Sequence, residues 1–160
     1  MAITSAICNS FKSEILQGGH CLNASGSTAA GNTIKCALYS SNSAVLSKST
    51  TQWTVASDPT ADPTSTREVS TTGTGYTSGG NTLTSTTPVL SGDTACCLFA
   101  ATSWGSTASF TARGCLIYNS TNANKSVCAI NFGADKTVTS GTFTVEFPAQ
   151  TAGNAIIQIA

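Results

Sequence analysis

The sequence predicts an all-β protein, an antiparallel β-sandwich or jelly-roll-like domain with one short N-terminal α-helix; a closed barrel is the second choice. Three observations carry this reading. From residue 33 almost to the end, apolar and polar residues alternate with the period of two that strands impose. About eight such runs are short and separated by polar turns, the pattern of sandwiches and jelly rolls. A helical repeat occurs only at the start. At 160 residues the chain has the length of one domain with a real core, divided into a helix and linker over 1–32 and a β-domain over 33–160.

Taken in order, Ile3, Ile7, Phe11 and Ile15 recur every four residues, with Cys8 and Leu16 widening the stripe. This predicts an amphipathic helix over 4–17, capped by Thr4 or Ser5 and ended by Gly18-Gly19. The small-residue stretch "HCLNASGSTAAGN" then links it to the first strand, "TIKCALYS", whose alternation puts Ile34, Cys36 and Leu38 on one face and Lys35, Ala37 and Tyr39 on the other. Further strands are expected in "NTLTSTTPVL", "DTACCLFA", "SFTARGCLIYN", "KSVCAINF", "GTFTVEFP" and the terminal "NAIIQIA". The polar bend "NSTNANK" joins two of them as a hairpin. In "GTFTVEFP", Phe143, Val145 and Phe147 alternate with Thr142, Thr144 and Glu146, and Pro148 closes the run because it has no N–H to give a ladder.

The stretch "REVSTTGTGYTSGG" carries Gly73, Gly75, Gly79 and Gly80 and invites a phosphate-loop reading. Such a loop opens a helix, and the Walker type adds Lys-Ser/Thr after its last glycine. Here strand material without a lysine follows. The segment is therefore expected to be a short strand over 67–70, a turn in which Gly73 and Gly75 take positive φ, and Tyr76 packed back over that turn. The segment "ASDPTADPTSTR" repeats Asp-Pro-Thr behind Asp58 and Asp62 and reads as an extended loop. Its oxygen donors are too few and too widely spaced for calcium.

Composition excludes several functions. Charged residues are 9% of the chain, seven basic against seven acidic, so nothing electrostatic points to nucleic acid, whose binding needs a clustered basic surface. Ser and Thr, about a third of the residues, supply the polar surface, and near-zero net charge favours association. No run of 18 apolar residues predicts a membrane span, and "MAITSAICNSF" has neither the basic start nor the apolar block of a signal peptide. The seven cysteines lack the close Cys and His pairs of a zinc site and are expected mainly as small buried hydrophobes. Cys96 and Cys97 are adjacent and must point to opposite faces of a strand; Cys115 and Cys128, flanking one hairpin, are the pair to inspect for a disulfide. His20, the single histidine, is expected on a surface loop with no nucleophile to activate. The acids Glu14, Glu68, Glu146, Asp93 and Asp135 show no spacing that selects a glycosidase pair. The expectation is no catalytic residue, no metal and no cofactor. Trp53, Tyr76, Trp104 and Tyr118 could stack on a sugar, which keeps a carbohydrate-binding module as an alternative with a glycan as ligand, although such rings more often pack in a core.

The combination "ALYSS", "TTQW", "REVSTTGTGYTSGGNTLT", "SFTARGCLIYNSTNANKSVCAINFG" and "GTFTVEFP" resembles a group of small structural proteins of tailed bacteriophages. The resemblance runs from the amino terminus to Pro148. Cys97, Cys115 and Cys128 depart from it, standing where Ala or Val is expected, as does the Asp-Pro-Thr insertion. It implies a virion component without catalytic residues: a capsid decoration or cement protein on the outer surface of the head, made in the host cytoplasm. Its implied partners are the major capsid protein and further copies of itself in a homotrimer. A tail or adsorption component is the alternative within the same group. The expected interaction elements are the helix around Ile7, Phe11 and Ile15, because an isolated helix of this length needs a partner surface, and the loop carrying Asp58, Asp62 and Arg67.

Overall fold

A computed structural model describes residues 3–23, 31–40, 46–53 and 68–160. Among the described residues the fold is all-β and sandwich-like, two antiparallel sheets with one short helix. Its elements are β1 (Ala6–Ile7), α1 (Asn9–Leu16), β2 (Ile34–Tyr39), β3 (Asn81–Leu83), β4 (Val89–Ser91), β5 (Thr94–Cys97), β6 (Thr102–Asn119), β7 (Lys125–Val145) and β8 (Ile157–Ile159). The larger sheet has the order β1-β7-β6-β2-β3 and the smaller β4-β5-β8.

The β6–β7 hairpin is the spine. Its turn falls where "NSTNANK" predicts it, with Ala123 and Asn124 at positive φ. The runs "KSVCAINF" and "GTFTVEFP" turn out to be one strand. Between the pairs Ala112↔Lys136 and Gly114↔Asn131, Arg113 alone stands against residues 132–135 of β7. That bulge bends the hairpin without breaking it, so one ladder serves two sequence patterns. Conversely, "NTLTSTTPVL" divides: Asn81–Leu83 pairs with β2, while Val89–Ser91 joins the smaller sheet.

The larger sheet is buried on both faces. On one side Ile34, Cys36, Leu38, Cys115 and Ile117 pack with Phe11 of α1, the Trp104–Phe110–Phe143 aromatic group, and Cys97 and Ile157 of the smaller sheet. On the other side Ala37, Tyr39, Leu116 and Tyr118 pack with Ile3, Leu46 and Trp53. Ala37 and Tyr39 are thus buried rather than outward, because the N-terminal segment and residues 46–53 cover the face that alternation assigned to solvent. Lys35 alone on β2 keeps partial exposure.

The helix is shorter than its repeat predicts. Ala6 and Ile7 pair with Ala129 and Cys128 as an edge strand of β7, and α1 begins after Cys8, an N-cap without a side-chain bond, instead of at Thr4 or Ser5. The reason lies in the repeat itself. Residues four apart share a face in a strand as well as in a helix, so the pattern could not separate the two. Gly18 and Gly19 end the helix as expected, their N–H groups bonding to Ile15 and Glu14 carbonyls.

All seven cysteines are free thiols. No Cys115–Cys128 disulfide forms, because the hairpin register sets Cys115 opposite Ile130 and Cys128 opposite Ile117. Cys96 and Cys97 point oppositely, and only Cys97 belongs to the main core.

The glycine stretch is an excursion from the edge of β2. Glu68 bridges Tyr39, Val69 N–H bonds to Leu38 O, the chain departs over 70–80, and it returns as β3 against Cys36. At the return, Gly80 has φ +68°, and a Cβ there would stand 1.8 Å from Cys36 O. Gly73, at φ +69°, has nothing within 4 Å of a built Cβ. The two predict different costs. Gly73→Ala should lose about 1 kcal/mol, for the left-handed backbone alone. Gly80→Ala, which must also move backbone, should lose about 3 kcal/mol or more; equilibrium urea unfolding of the two variants measures both.

Candidate functional site

Two polar clusters and one apolar surface hold the side chains from which a function could be built. The first is the neck of the 70–80 excursion. Glu68 is buried, 5% exposed, and its carboxylate accepts from Tyr76 Oη at 2.7 Å, Gly79 N–H at 2.6 Å and Ser78 Oγ at 3.3 Å. Tyr76 Oη in turn accepts from Leu38 N–H at 3.0 Å, so the phenol stands in for a strand carbonyl that the excursion has carried away. Burial first, and the neighbouring Glu68 charge second, push the Tyr76 hydroxyl far above the usual tyrosine range; it remains a donor to the carboxylate. Tyr118 Oη closes the other side by donating to Gly79 O at 2.9 Å. Every oxygen here faces a partner inside the protein, which is the arrangement of a structural clasp.

The second cluster joins α1 to the spine. His20, expected on the surface, is buried: its side chain is fully covered and its ring lies 4.8 Å from that of Phe11. Nε2 faces Glu14 Oε2 at 2.8 Å, and Nδ1 faces Asn119 Nδ2 at 3.1 Å. Lys125 Nζ holds the other Glu14 oxygen at 3.1 Å. Asn119, fully buried, gives its second amide hydrogen to Asn32 Oδ1 at 2.8 Å and receives Thr121 and Asn122 N–H on Oδ1. Both ring nitrogens are therefore committed, and neither is left to activate a serine or cysteine. Sequence reasoning missed this cluster because its members lie 6 and 99 positions from His20. No local spacing could have signalled it.

The thiols of Cys8, Cys36, Cys115 and Cys128 lie deep in the main core. Burial pushes Cys8 up to about 11 and Cys128 well above the ordinary thiol value. A bond to Cys36, followed by burial, does the same to Cys115. Raised in this way, the Cys8, Cys115 and Cys128 thiols are poor nucleophiles and poor ligands. Among the described residues no group of three or more His, Cys, Asp or Glu side chains is placed to hold a metal.

The apolar surface belongs to the smaller sheet. Its register aligns Leu90, Ala95 and Ile159 in one cross-strand row, on the same face as Cys97 and Ile157. Cys97 and Ile157 end in the core, but Leu90 is 76% and Ile159 58% exposed: the inner face of the sheet runs past the body it covers. A cleft of about 260 Å³ lies beneath, lined by Ile15, His20, Leu22, Pro88, Ala95 and Ile159 among others. Leu16, next to Ile15 at the end of α1, is 86% exposed. None of the three strands carries a charged residue.

Of the residues expected to interact, Phe11 is in the core and Ile7 and Ile15 are partly buried against it; the partner surface the helix needs is supplied by its own chain. Asp58, Asp62 and Arg67 lie outside the described residues. The four aromatics do not share a face. Trp53 stacks on Tyr118 at 5.1 Å on one side of the larger sheet, and Tyr76 on Trp104 at 6.1 Å on the other, with Tyr76, Trp104 and Tyr118 at most 3% exposed. Rings so covered offer no platform to a sugar.

No family model, curated protein or solved structure matches the chain.

Glu14 yields a pH prediction. Burial alone would raise its pKa, but hydrogen bonds from His20 and Lys125 and the charge of Lys125 outweigh it and hold the carboxyl below its ordinary value of 4.5. A carboxylate with a depressed folded-state pKa contributes stability that is complete above the unfolded value and lost as pH falls through the folded one. Glu14→Gln should therefore be less stable than wild type at pH 7, with the difference shrinking as pH falls below about 4.5; urea midpoints at pH 7, 4.5 and 3 check it.

Proposed function

We propose that this chain is a bacteriophage capsid decoration, or cement, protein that binds the outside of the assembled head. The observation that carries the reading is the exposed Leu90–Ala95–Ile159 row, an uncharged apolar strip on a three-stranded sheet whose other half is core. Contiguous exposed apolar surface marks a place where another macromolecule binds. A sheet that is half core and half surface also holds that strip rigidly, which limits the ordering cost of association.

The resemblance to small tailed-phage structural proteins supports the same reading. The segments that carry it include the clasped 70–80 excursion and the β6–β7 spine. The arrangement it implies is a homotrimer contacting the major capsid protein across capsomer boundaries. Stabilisation then follows from mass action: a protein that binds only the assembled shell shifts the equilibrium toward it. The commitment of His20, Glu68 and the core thiols to internal partners fits a structural role better than a catalytic one.

The test is the number of copies per virion and their position, together with rebinding of the full chain to purified heads of the encoding phage. Hundreds of copies on the shell are expected, and Leu90→Glu/Ile159→Glu should cut occupancy at least about tenfold, as burying two unpaired carboxylates costs more than 1.4 kcal/mol. A few copies confined to the tail would replace this reading with the adsorption-component alternative, and undiminished binding by the variant would remove the apolar row from it.

A further inference from the structure

We propose that Asn119 couples the protonation of His20 to the β6–β7 turn, making the junction between α1 and the spine an acid-sensitive latch. The inference rests on hydrogen-bond geometry and is independent of the capsid reading. An asparagine side chain has two amide hydrogens and one carbonyl oxygen with two lone pairs, and all four positions are taken here. Oδ1 receives Thr121 and Asn122 N–H, each at 3.1 Å. These backbone donors cannot reverse, so they fix which end of the amide is oxygen. Nδ2 consequently points its two hydrogens at Asn32 Oδ1 and His20 Nδ1. Asn32 is fixed in the same sense, because its Oδ1 also accepts Cys21 N–H at 2.8 Å.

Nδ1 of His20 must then be an acceptor, and the ring is the neutral tautomer whose Nε2–H donates to Glu14. A proton added to Nδ1 would face an amide hydrogen. Around the ring, Glu14 from α1 faces Nε2, Lys125 from β7 pairs with the same carboxylate, and the Phe11 ring packs against the imidazole. Cys21 follows in the chain and lines the cleft.

Whatever the ring does on protonation, Asn119 must lose bonds. If the amide stays, its bond to the ring breaks and the segment carrying Gly19 and His20 loses one of its ties to β6. If the amide turns over to offer Oδ1 to Nδ1–H, Thr121 and Asn122 lose their acceptor and the turn over 120–124 loosens. Asn122 passes the change back, because its Nδ2 donates to Gly19 O at 2.6 Å. The turn and the end of α1 therefore respond together when Nδ1 takes up a proton. Glu14 is held below the ordinary carboxylate value.

Nitrogen-15 NMR of the full chain tests this through the His20 ring and the backbone amides of Thr121 and Asn122, followed from pH 8 to pH 5. The expected result is the Nε2–H tautomer at pH 8, and ring and amide signals that change in step as the ring protonates. Asn119→Asp keeps an acceptor for both amides and adds one for Nδ1–H. It removes the donor to Asn32 Oδ1, and it should leave the two amide signals unchanged with pH while the ring still takes up its proton. The proposal is overturned by an Nδ1–H tautomer at pH 8, by a ring that stays neutral down to pH 5, or by a ring that titrates while the amides stay still. Should Asn119→Asp fail to fold, the wild-type titration decides alone.

Discussion

The carboxylate of Glu68 sits where the edge of β2 would otherwise come apart. Beyond Val69 the chain leaves the sheet for eleven residues, 70–80, and such a departure strands the N–H and C=O groups of the strand it leaves. One side chain closes the gap from both ends. Glu68 grips Gly79 N–H on the returning arm and Tyr76 Oη in between, and Tyr76 supplies Leu38 with the partner it lacks. Gly80 then brings the backbone hard against Cys36 so that β3 can pair. Because β2 contributes buried residues to both hydrophobic clusters, the clasp secures a strand that both of them share.

From this follows the division of the molecule into a fixed body and an offered surface. The polar groups of the two clusters are used internally: Glu68 by the excursion, His20 and Glu14 by the α1 junction, Asn119 by the hairpin turn. The smaller sheet differs, since its apolar inner face outruns the core beneath it and presents Leu90 and Ile159 to solvent. A rigid sandwich with an uncharged apolar strip is suited to adhesion, and the proposed role on an assembled shell uses that strip.

Much of the fold was legible in the sequence, for a physical reason. Period-two alternation and the turns at "NSTNANK" and around Gly73 and Gly75 are local signals, and they placed the hairpin, the glycine turn and most strands, whereas the strand expected over 67–70 reduces to an isolated bridge at Glu68. The misreadings all involve long-range packing. The four-residue repeat of Ile3, Ile7, Phe11 and Ile15 fits strand and helix alike, and only pairing with β7 decides that Ala6 and Ile7 are strand. Ala37 and Tyr39 read as outward because nothing local reports that a second layer covers them. Glu68 read as an acid on a short strand and His20 as a surface loop residue, since the partners that bury them are brought together by topology. The exposed row Leu90–Ala95–Ile159 became visible only through strand register.

The central claim, that Glu68 and Tyr76 act together to hold β2, is tested most directly by a double-mutant cycle of Glu68→Met and Tyr76→Phe in urea unfolding. Each change alone leaves buried groups without partners and should cost about 2–3 kcal/mol. Because both remove the same bond, the double variant should fall short of the sum by about 1 kcal/mol or more. Single costs below about 0.5 kcal/mol that simply add would contradict the account and move the anchor of the fold elsewhere.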